Sequence, residues 1–355
     1  MDIETLISEN AKIIDNQLKK QILEYYSKED ISKLIGKQIY DYDERAFSLS
    51  LIDPLWYILN LGGKRWRPTL MMLFLEAFGQ KKEEYMPFLI LPEIIHNATL
   101  VHDDLEDNSD TRRGAPAVHI KFGIDIATNL GDFMLFFPTL LLLKNSKISN
   151  EKKLNLIDSY LENMVRVTVG QGTDISWHAG LIPPEKISEA NYLQMSNDKT
   201  GVLARFSCEL AGILGGMDKQ TIKKIGNFGA SIGIAFQIQD DILNIDESSV
   251  SKSKGGIGDD ISEGKITLLV IRAMQIGSDT DKQRLLKILS EHTKDKEKIK
   301  EAIKILIKYD TINYSKKIAE KIVSESWDEI ENILPENKAK EQLKQFAEFM
   351  IKRTK

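Results

Sequence analysis

Apolar residues recur along most of this chain at the three- and four-residue spacing of a helix face, and strand-like alternation is scarce. Leu6, Ile13, Ile14 and Leu18 mark a first helix, and Leu89 to Val101, Leu154 to Val169, Ile222 to Leu243 and Leu286 to Ile307 mark later ones. The most apolar stretch, Phe133 to Leu143, is closed by Asp132 and Lys144 and carries Pro138. It is shorter than the ~20 residues that span a bilayer, so it reads as a buried helix and excludes an integral membrane enzyme. Breaks at Gly62-Gly63, Gly114 to Pro116, Leu181 to Pro184 and Lys252 to Gly258 are each short enough to be a loop inside one domain. No linker or repeat interrupts the pattern. From about residue 279 Lys and Glu become frequent, as in outer amphipathic helices covering a more apolar centre. The pattern predicts an all-α bundle, with residues 1–355 forming a single domain.

Composition narrows the function. A chain of 355 residues, 42% hydrophobic and 28% charged, is that of an ordinary globular protein. Its net charge of -5 argues against a surface that tracks nucleic acid, although clustered cations can still bind a small anion. Cys208 stands alone, so there is no disulfide framework and no cysteine-based metal site, which fits a reducing compartment. The start, Met1-Asp2-Ile3-Glu4, lacks the basic and apolar segments of a signal peptide, and a cytoplasmic chain is expected.

The candidate chemistry lies in two acidic motifs. His102-Asp103-Asp104-Leu105-Glu106-Asp107 follows a long apolar helix, with Arg112-Arg113-Gly114 just beyond. Asp103 and Asp107 are one helical turn apart on one face, with Asp104 beside them, so their oxygens can converge on hard cations. Acids that cap helices sit at N-termini; these lie late in a helix, where the macrodipole opposes them. Phe236-Gln237-Ile238-Gln239-Asp240-Asp241-Ile242-Leu243-Asn244 repeats the arrangement late in a second helix, where Asp240, Asp241 and Asn244 all offer oxygen. Oxygen donors without a His or Cys cluster favour magnesium, which usually completes its shell with water and substrate phosphates, here those of a diphosphate.

Cations for such an anion are present. Gly62-Gly63-Lys64-Arg65-Trp66-Arg67-Pro68 sets three after a flexible glycine pair, and Arg112 and Arg113 add two. His96 lies two turns before Asp103 on nearly the same stripe. Lys199-Thr200-Gly201, Gly264-Lys265-Ile266-Thr267 and Gln171-Gly172-Thr173-Asp174 add polar groups that are uninformative singly. The stretch from Lys254 to Lys265 is not a nucleotide loop, because Asp259 stands where a glycine is required and no strand precedes it. No Ser-His-Asp or Cys-His arrangement indicates covalent catalysis.

In order, GGKRWRP, HDDLED with RRG, GQGTD, DKTG, FQIQDDILN and DDISEGKIT, spanning about residues 60–267, resemble the trans-isoprenyl diphosphate synthases. That resemblance implies a helical bundle around a deep central cavity, usually a homodimer, with both Asp-rich motifs at the cavity mouth. It implies that Asp103, Asp107 and Asp240 hold magnesium ions on an allylic diphosphate (dimethylallyl, geranyl or farnesyl), with Asp104, Asp241 and Asn244 in support and Asp174 ordering coordinated water. Arg112, Lys199 and Lys265 would meet the same diphosphate. Lys64, Arg67, His96 and Arg113, with Arg65 in the same basic run, would hold isopentenyl diphosphate, and the Thr200 and Gln237 oxygens would face a developing carbocation. Three positions depart from the family pattern: Asn244 stands where many relatives have Asp, Trp66 replaces an aliphatic residue, and Lys254-Gly255-Gly256 shifts the usual Lys spacing. Residues 279–355 match only by helical character and the basic end Lys352-Arg353-Lys355.

Within the family, side chains just below the first motif limit chain growth. Ala98 and Thr99 are small here, which implies a product longer than farnesyl diphosphate. Phe133, Phe136 and Phe137 on the next predicted helix are candidates for a floor that stops growth at geranylgeranyl diphosphate. The Asn variant, the short DDLED form and His96-Asn97-Ala98-Thr99 are most similar to geranylgeranyl diphosphate synthases. The rivals are a longer-chain polyprenyl synthase and a non-catalytic subunit that modifies a partner synthase; a terpene cyclase lacks support, because no Asn-Ser-Glu type second metal motif is present.

Overall fold

The computed structural model, which describes residues 2–246 and 257–352, is built from helices. Those that build the site and its support are α1 (Ile3–Gln21), α2 (Asp53–Asn60), α3 (Trp66–Ala77), α4 (Ile90–Glu106), α5 (Ile124–Lys144), α6 (Asn150–His178), α7 (Glu189–Ser196), α8 (Val202–Gly215), α9 (Lys219–Ile245), α10 (Leu268–Ile276), α11 (Asp279–Ser290), α12 (Lys296–Lys308), α13 (Thr311–Ile330) and α14 (Lys338–Lys352). Among the described residues the only strands are β1 (Thr111–Arg112) and β2 (Ala115–Pro116), a short antiparallel pair after α4.

Sequence dictates which helices lie deepest. In α3 every residue from Trp66 to Leu75 is buried, as befits a helix without a polar face. α9 begins at Asp218, whose carboxylate accepts the backbone N–H groups of Gln220 and Thr221, and it continues as a largely buried helix to Ile245. It packs along α8 on one side and α13 on another, while α4 lies along α5 and α3 against α8 and α14. The acidic motifs therefore ride at the C-terminal ends of two core helices.

A single π turn, Asn197–Gly201, joins α7 to α8 and carries Lys199 and Thr200. It is clamped by two neighbours that come closer than any side chain would allow. A Cβ on Gly170 of α6 would lie 2.2 Å from the Lys199 nitrogen, and one on Gly233 of α9 would lie 2.5 Å from the Gly201 Cα.

Three expectations change. The apolar spacing predicts one helix over 286–307, but residues 291–295 break it: His292 takes a left-handed φ of 45° and the Asp295 carboxylate caps α12 through the Glu297 N–H. The helices beyond residue 279 are not merely outer cover. Trp327 of α13 meets Phe228 edge-on at 5.7 Å, and Phe346 of α14 lies fully buried, 6.2 Å from the Trp66 ring. The apolar helix around Phe133 runs for 21 residues, long and apolar enough by composition to cross a bilayer, so its length does not exclude a span. It packs along α4 with one face, and 39% of its most apolar window is buried inside the protein. Lys254 and the basic residues Arg353 and Lys355 lie outside the described residues.

Candidate active site

Asp103, Asp104 and Asp107 come at the C-terminal end of α4, and each is held differently. Asp104 is fully buried; its Oδ1 accepts Arg112 Nε at 2.8 Å, and its Oδ2 has no donor. Burial raises its carboxyl above the usual range, while Arg112 works against that rise and Asp103 adds to it. Asp103 faces Lys199 Nζ at 3.3 Å, Arg112 Nη2 at 3.3 Å and Gln171 Nε2 at 3.3 Å. Asp107 is also raised by burial, opposed by Lys265, whose Nζ stands 3.5 Å away.

The lysines tie this helix end to the rest of the site. Lys199 binds Asp174 of α6 at 2.6 Å, and although burial works against its charge, Asp103 and Asp174 raise it above the ordinary lysine value. Asp174, which the resemblance places on coordinated water, here holds this ammonium directly. Lys265 reaches Asp107, Asp260 at 3.7 Å and Glu263; these carboxylates likewise hold its charge up against burial.

At the end of α9, Asp240 is partly buried and Asp241 almost wholly so. Asp241 accepts the Tyr192 hydroxyl at 2.7 Å and Gln237 Nε2 at 2.9 Å, and burial beside Asp260 raises its carboxyl. Gln237 Oε1 in turn accepts the Thr200 hydroxyl at 2.8 Å. Asn244 is turned elsewhere: its Oδ1 accepts the Asp260 N–H at 3.2 Å and its carbonyl accepts Gly258 N–H at 2.8 Å, so it anchors the 257–263 turn rather than joining Asp240 and Asp241.

A separate group is basic. Gly62 and Gly63, with φ of 80° and 147°, turn the chain into α3, and Arg65 follows at φ 50°. Arg65 does not serve an anion. Its guanidinium is buried on Asp15 at 3.0 Å, Glu93 at 2.6 Å and the Leu59 carbonyl at 2.7 Å, so it fixes the turn. Arg67 is buried with its guanidinium 4.4 Å above the Trp66 ring, and Trp66 stacks on Phe236 at 5.2 Å, linking α3 to the second acidic helix. Lys64 is exposed on the turn. Arg113, itself at φ 53°, donates to the Gly62 carbonyl and to Asn97 Oδ1 at 3.3 Å, where Gly63 leaves room for it. His96 is held neutral to well below the usual imidazole pKa, first by burial and then by Arg67, Arg113, Arg112 and Arg65.

Below the first motif Ala98 is fully buried and the Thr99 hydroxyl bonds the His96 carbonyl at 2.8 Å. Ala98 shares an apolar cluster with Met134 and Phe137. Phe133 and Phe137 stack at 5.2 Å, and Phe47 meets Phe133 edge-on at 6.2 Å. Phe136 is 70% exposed and points away from them, so it forms no part of a floor.

Asp15, Glu93, Asn97, Tyr192, Asp260 and Phe47 join the site without a motif that marks them in the sequence. Glu93 did carry a signal, a lone carboxylate inside Ile90-Leu91-Pro92-Glu93-Ile94-Ile95. Asp260 lies in DDISEGKIT, the same run that carries Lys265.

The donor set around Lys199 and Lys265 is made of carboxylate oxygens, which suits a hard divalent cation. Among the described residues no three His, Cys, Asp or Glu side chains converge on a ready-made metal cage.

The polyprenyl synthetase family model matches residues 49–306. A short chain isoprenyl diphosphate synthase of Methanothermobacter thermautotrophicus is 33% identical over 84% of this chain and 88% of its own. A geranylgeranyl diphosphate synthase of Sulfolobus acidocaldarius is 30% identical over 86% of this chain and 91% of its own. The crystal structure of a geranylgeranyl pyrophosphate synthetase from Pyrococcus horikoshii superimposes with a TM-score of 0.81 at 30% identity, covering 99% of this chain and 98% of the other.

Proposed function

The chain belongs to the polyprenyl synthetase family, and from that premise we propose that it is a geranylgeranyl diphosphate synthase, joining isopentenyl diphosphate head-to-tail to dimethylallyl, geranyl or farnesyl diphosphate. The observation that carries the reaction is that Lys199 and Lys265 each lie between carboxylates, Lys265 joining Asp107 at the first acidic helix end to Asp260 beside Asp241 at the second, next to a separate group rich in arginine.

In this reading Asp103, Asp107 and Asp240 hold magnesium, with Asp260 beside them. Magnesium, when bound, neutralises charge on the leaving diphosphate and so favours ionisation to an allylic cation. Lys199, Lys265 and Arg112 bind the same diphosphate. Lys64, Arg67 and Arg113 hold isopentenyl diphosphate, and neutral His96 donates or accepts a hydrogen bond without adding charge. The C–O bond to diphosphate breaks, the isopentenyl double bond attacks the cation to form a C–C bond, and the departed diphosphate takes the proton that is lost. Thr200 and Gln237 turn oxygens to the cation while it lasts. Placing the two substrates side by side supplies much of the rest.

Buried Ala98 and the stacked Phe133–Phe137 pair support a geranylgeranyl-length product. A longer polyprenyl product is the second reading, favoured by the outward turn of Phe136, which leaves that floor thinner. Both acidic motifs are intact, which speaks against a non-catalytic subunit. The chain is read as one synthase domain, working in the cytosol as a homodimer. Exposed Leu154, Leu161, Val165 and Val169 form an apolar stripe on α6, and Phe136 and Leu143 are exposed on α5. A second copy would cover these faces.

The test is elongation of labelled isopentenyl diphosphate from each primer with magnesium, followed by product sizing. Geranylgeranyl diphosphate should dominate, and Ala98→Phe should shorten it to farnesyl diphosphate. An unchanged product in that variant would sink the cavity account.

A further inference from the structure

Tyr192 is buried on α7, outside the acidic motifs, yet its hydroxyl is 2.7 Å from Asp241 Oδ2. The other carboxylate oxygen takes Gln237 Nε2 at 2.9 Å. With its Nε2 on Asp241 and its Oε1 toward Thr200, the Gln237 amide is held in one orientation. The Thr200 hydroxyl donates to that Oε1 at 2.8 Å. Thr200 belongs to the π turn that directly follows α7, so the contacts close a ring: α7, the turn, Thr200, Gln237, Asp241 and back to Tyr192. Three links are side-chain hydrogen bonds and the backbone from Tyr192 to Thr200 completes the ring, and three of the four side chains lie on or beside the elements that the reaction uses.

We propose that Tyr192 is a positioning residue which, through Asp241, fixes the Gln237 amide and the Thr200 hydroxyl so that their oxygens present negative dipole ends to the allylic cation. This rests on the prenyl-transfer reading above. Preorganised dipoles stabilise a transition state only if they do not reorient during the reaction, and the ring removes the rotations that would turn the Gln237 N–H groups toward the cation. Tyr192 itself touches no substrate. Its loss should therefore slow the reaction without weakening binding.

The full-length protein is assayed with magnesium, isopentenyl diphosphate and geranyl diphosphate. Wild-type elongation tests the reaction, and its failure would overturn both readings. With wild type active, Tyr192→Phe should lower kcat about tenfold, the effect of losing one buried hydrogen bond from a catalytic network, with both KM values within about twofold. Adding Tyr192→Phe to Gln237→Met should cost nothing further, since the amide it orients is gone. Unchanged kcat, a loss expressed only in KM, or full multiplication of the two effects would each overturn the relay alone. Should Tyr192→Phe not fold, Thr200 probes the other end of the ring: Thr200→Ser should keep the rate and Thr200→Val should lose about tenfold. Equal rates in that pair would likewise overturn the relay.

Discussion

The two halves of the site solve opposite electrostatic problems. In one, Asp103, Asp107, Asp174, Asp260 and Glu263 surround Lys199 and Lys265, and acids outnumber bases. In the other, Arg65, Arg67 and Arg113 gather around His96, and the carboxylates nearby, Glu93 and Asp15, are committed to Arg65. Crowding shows in the ionisation of both. Burial and the neighbouring Arg65 and Arg112 depress Arg113, with Glu93 opposing them, whereas Lys265 is raised because Asp260, Asp107 and Glu263 outweigh its burial. A diphosphate entering the acidic half meets repulsion until divalent cations are present. One entering the basic half relieves repulsion that is already there.

The largest effect that would break this contrast is in the acidic half. Asp103→Ala removes a charge on which Lys199, Arg112 and Gln171 converge, and kcat should fall by about a thousandfold or more while the circular dichroism spectrum is kept. Retained turnover would remove Asp103 from the metal set. In the basic half, Arg113→Met should act on one substrate only, raising KM for isopentenyl diphosphate on the order of tenfold with kcat and the primer KM little changed. An equal rise for both substrates would erase the division.

The smallest effect concerns His96. Its folded pKa lies below that of the unfolded chain, so at mildly acidic pH the unfolded state binds more protons. The stability it permits is present in full above about pH 6.5 and is lost as pH falls below that value toward the depressed folded pKa. The urea midpoint should drop between about pH 6.5 and 5, less so in His96→Gln, and KM for isopentenyl diphosphate should be flat from about pH 6 to 8. An imidazole that titrates near pH 6.5 would mean that burial and the arginines around it do not hold it neutral.

Much of the contrast was legible in the sequence, for reasons that particular residues make plain. Asp103, Asp107 and Asp240 stood out because acids late in apolar helices lack a local justification, so a partner from elsewhere was required. Lys64, Arg65 and Arg67 were not separable, since adjacent cations on a glycine-led turn look alike. What distinguishes Arg65 is Asp15, 50 residues earlier, and Glu93, 28 residues later. Phe136 failed for a related reason: α5 is apolar on nearly every face, so its periodicity does not say which phenylalanines look inward. Asn244 does offer an oxygen, but that oxygen accepts the Asp260 N–H, a contact that depends on how the chain returns after residue 257. The break at 291–295 was written in Ser290, Thr293 and Asp295, a capping signal masked by the apolar spacing on either side.

The central claim, that the acidic half takes an anion only through divalent cations, is tested most directly by calorimetric binding of geranyl diphosphate and isopentenyl diphosphate separately, with magnesium and with EDTA. Geranyl diphosphate affinity should fall at least about a hundredfold without magnesium, while isopentenyl diphosphate affinity changes by less than about threefold. Tight geranyl diphosphate binding in EDTA would contradict the account.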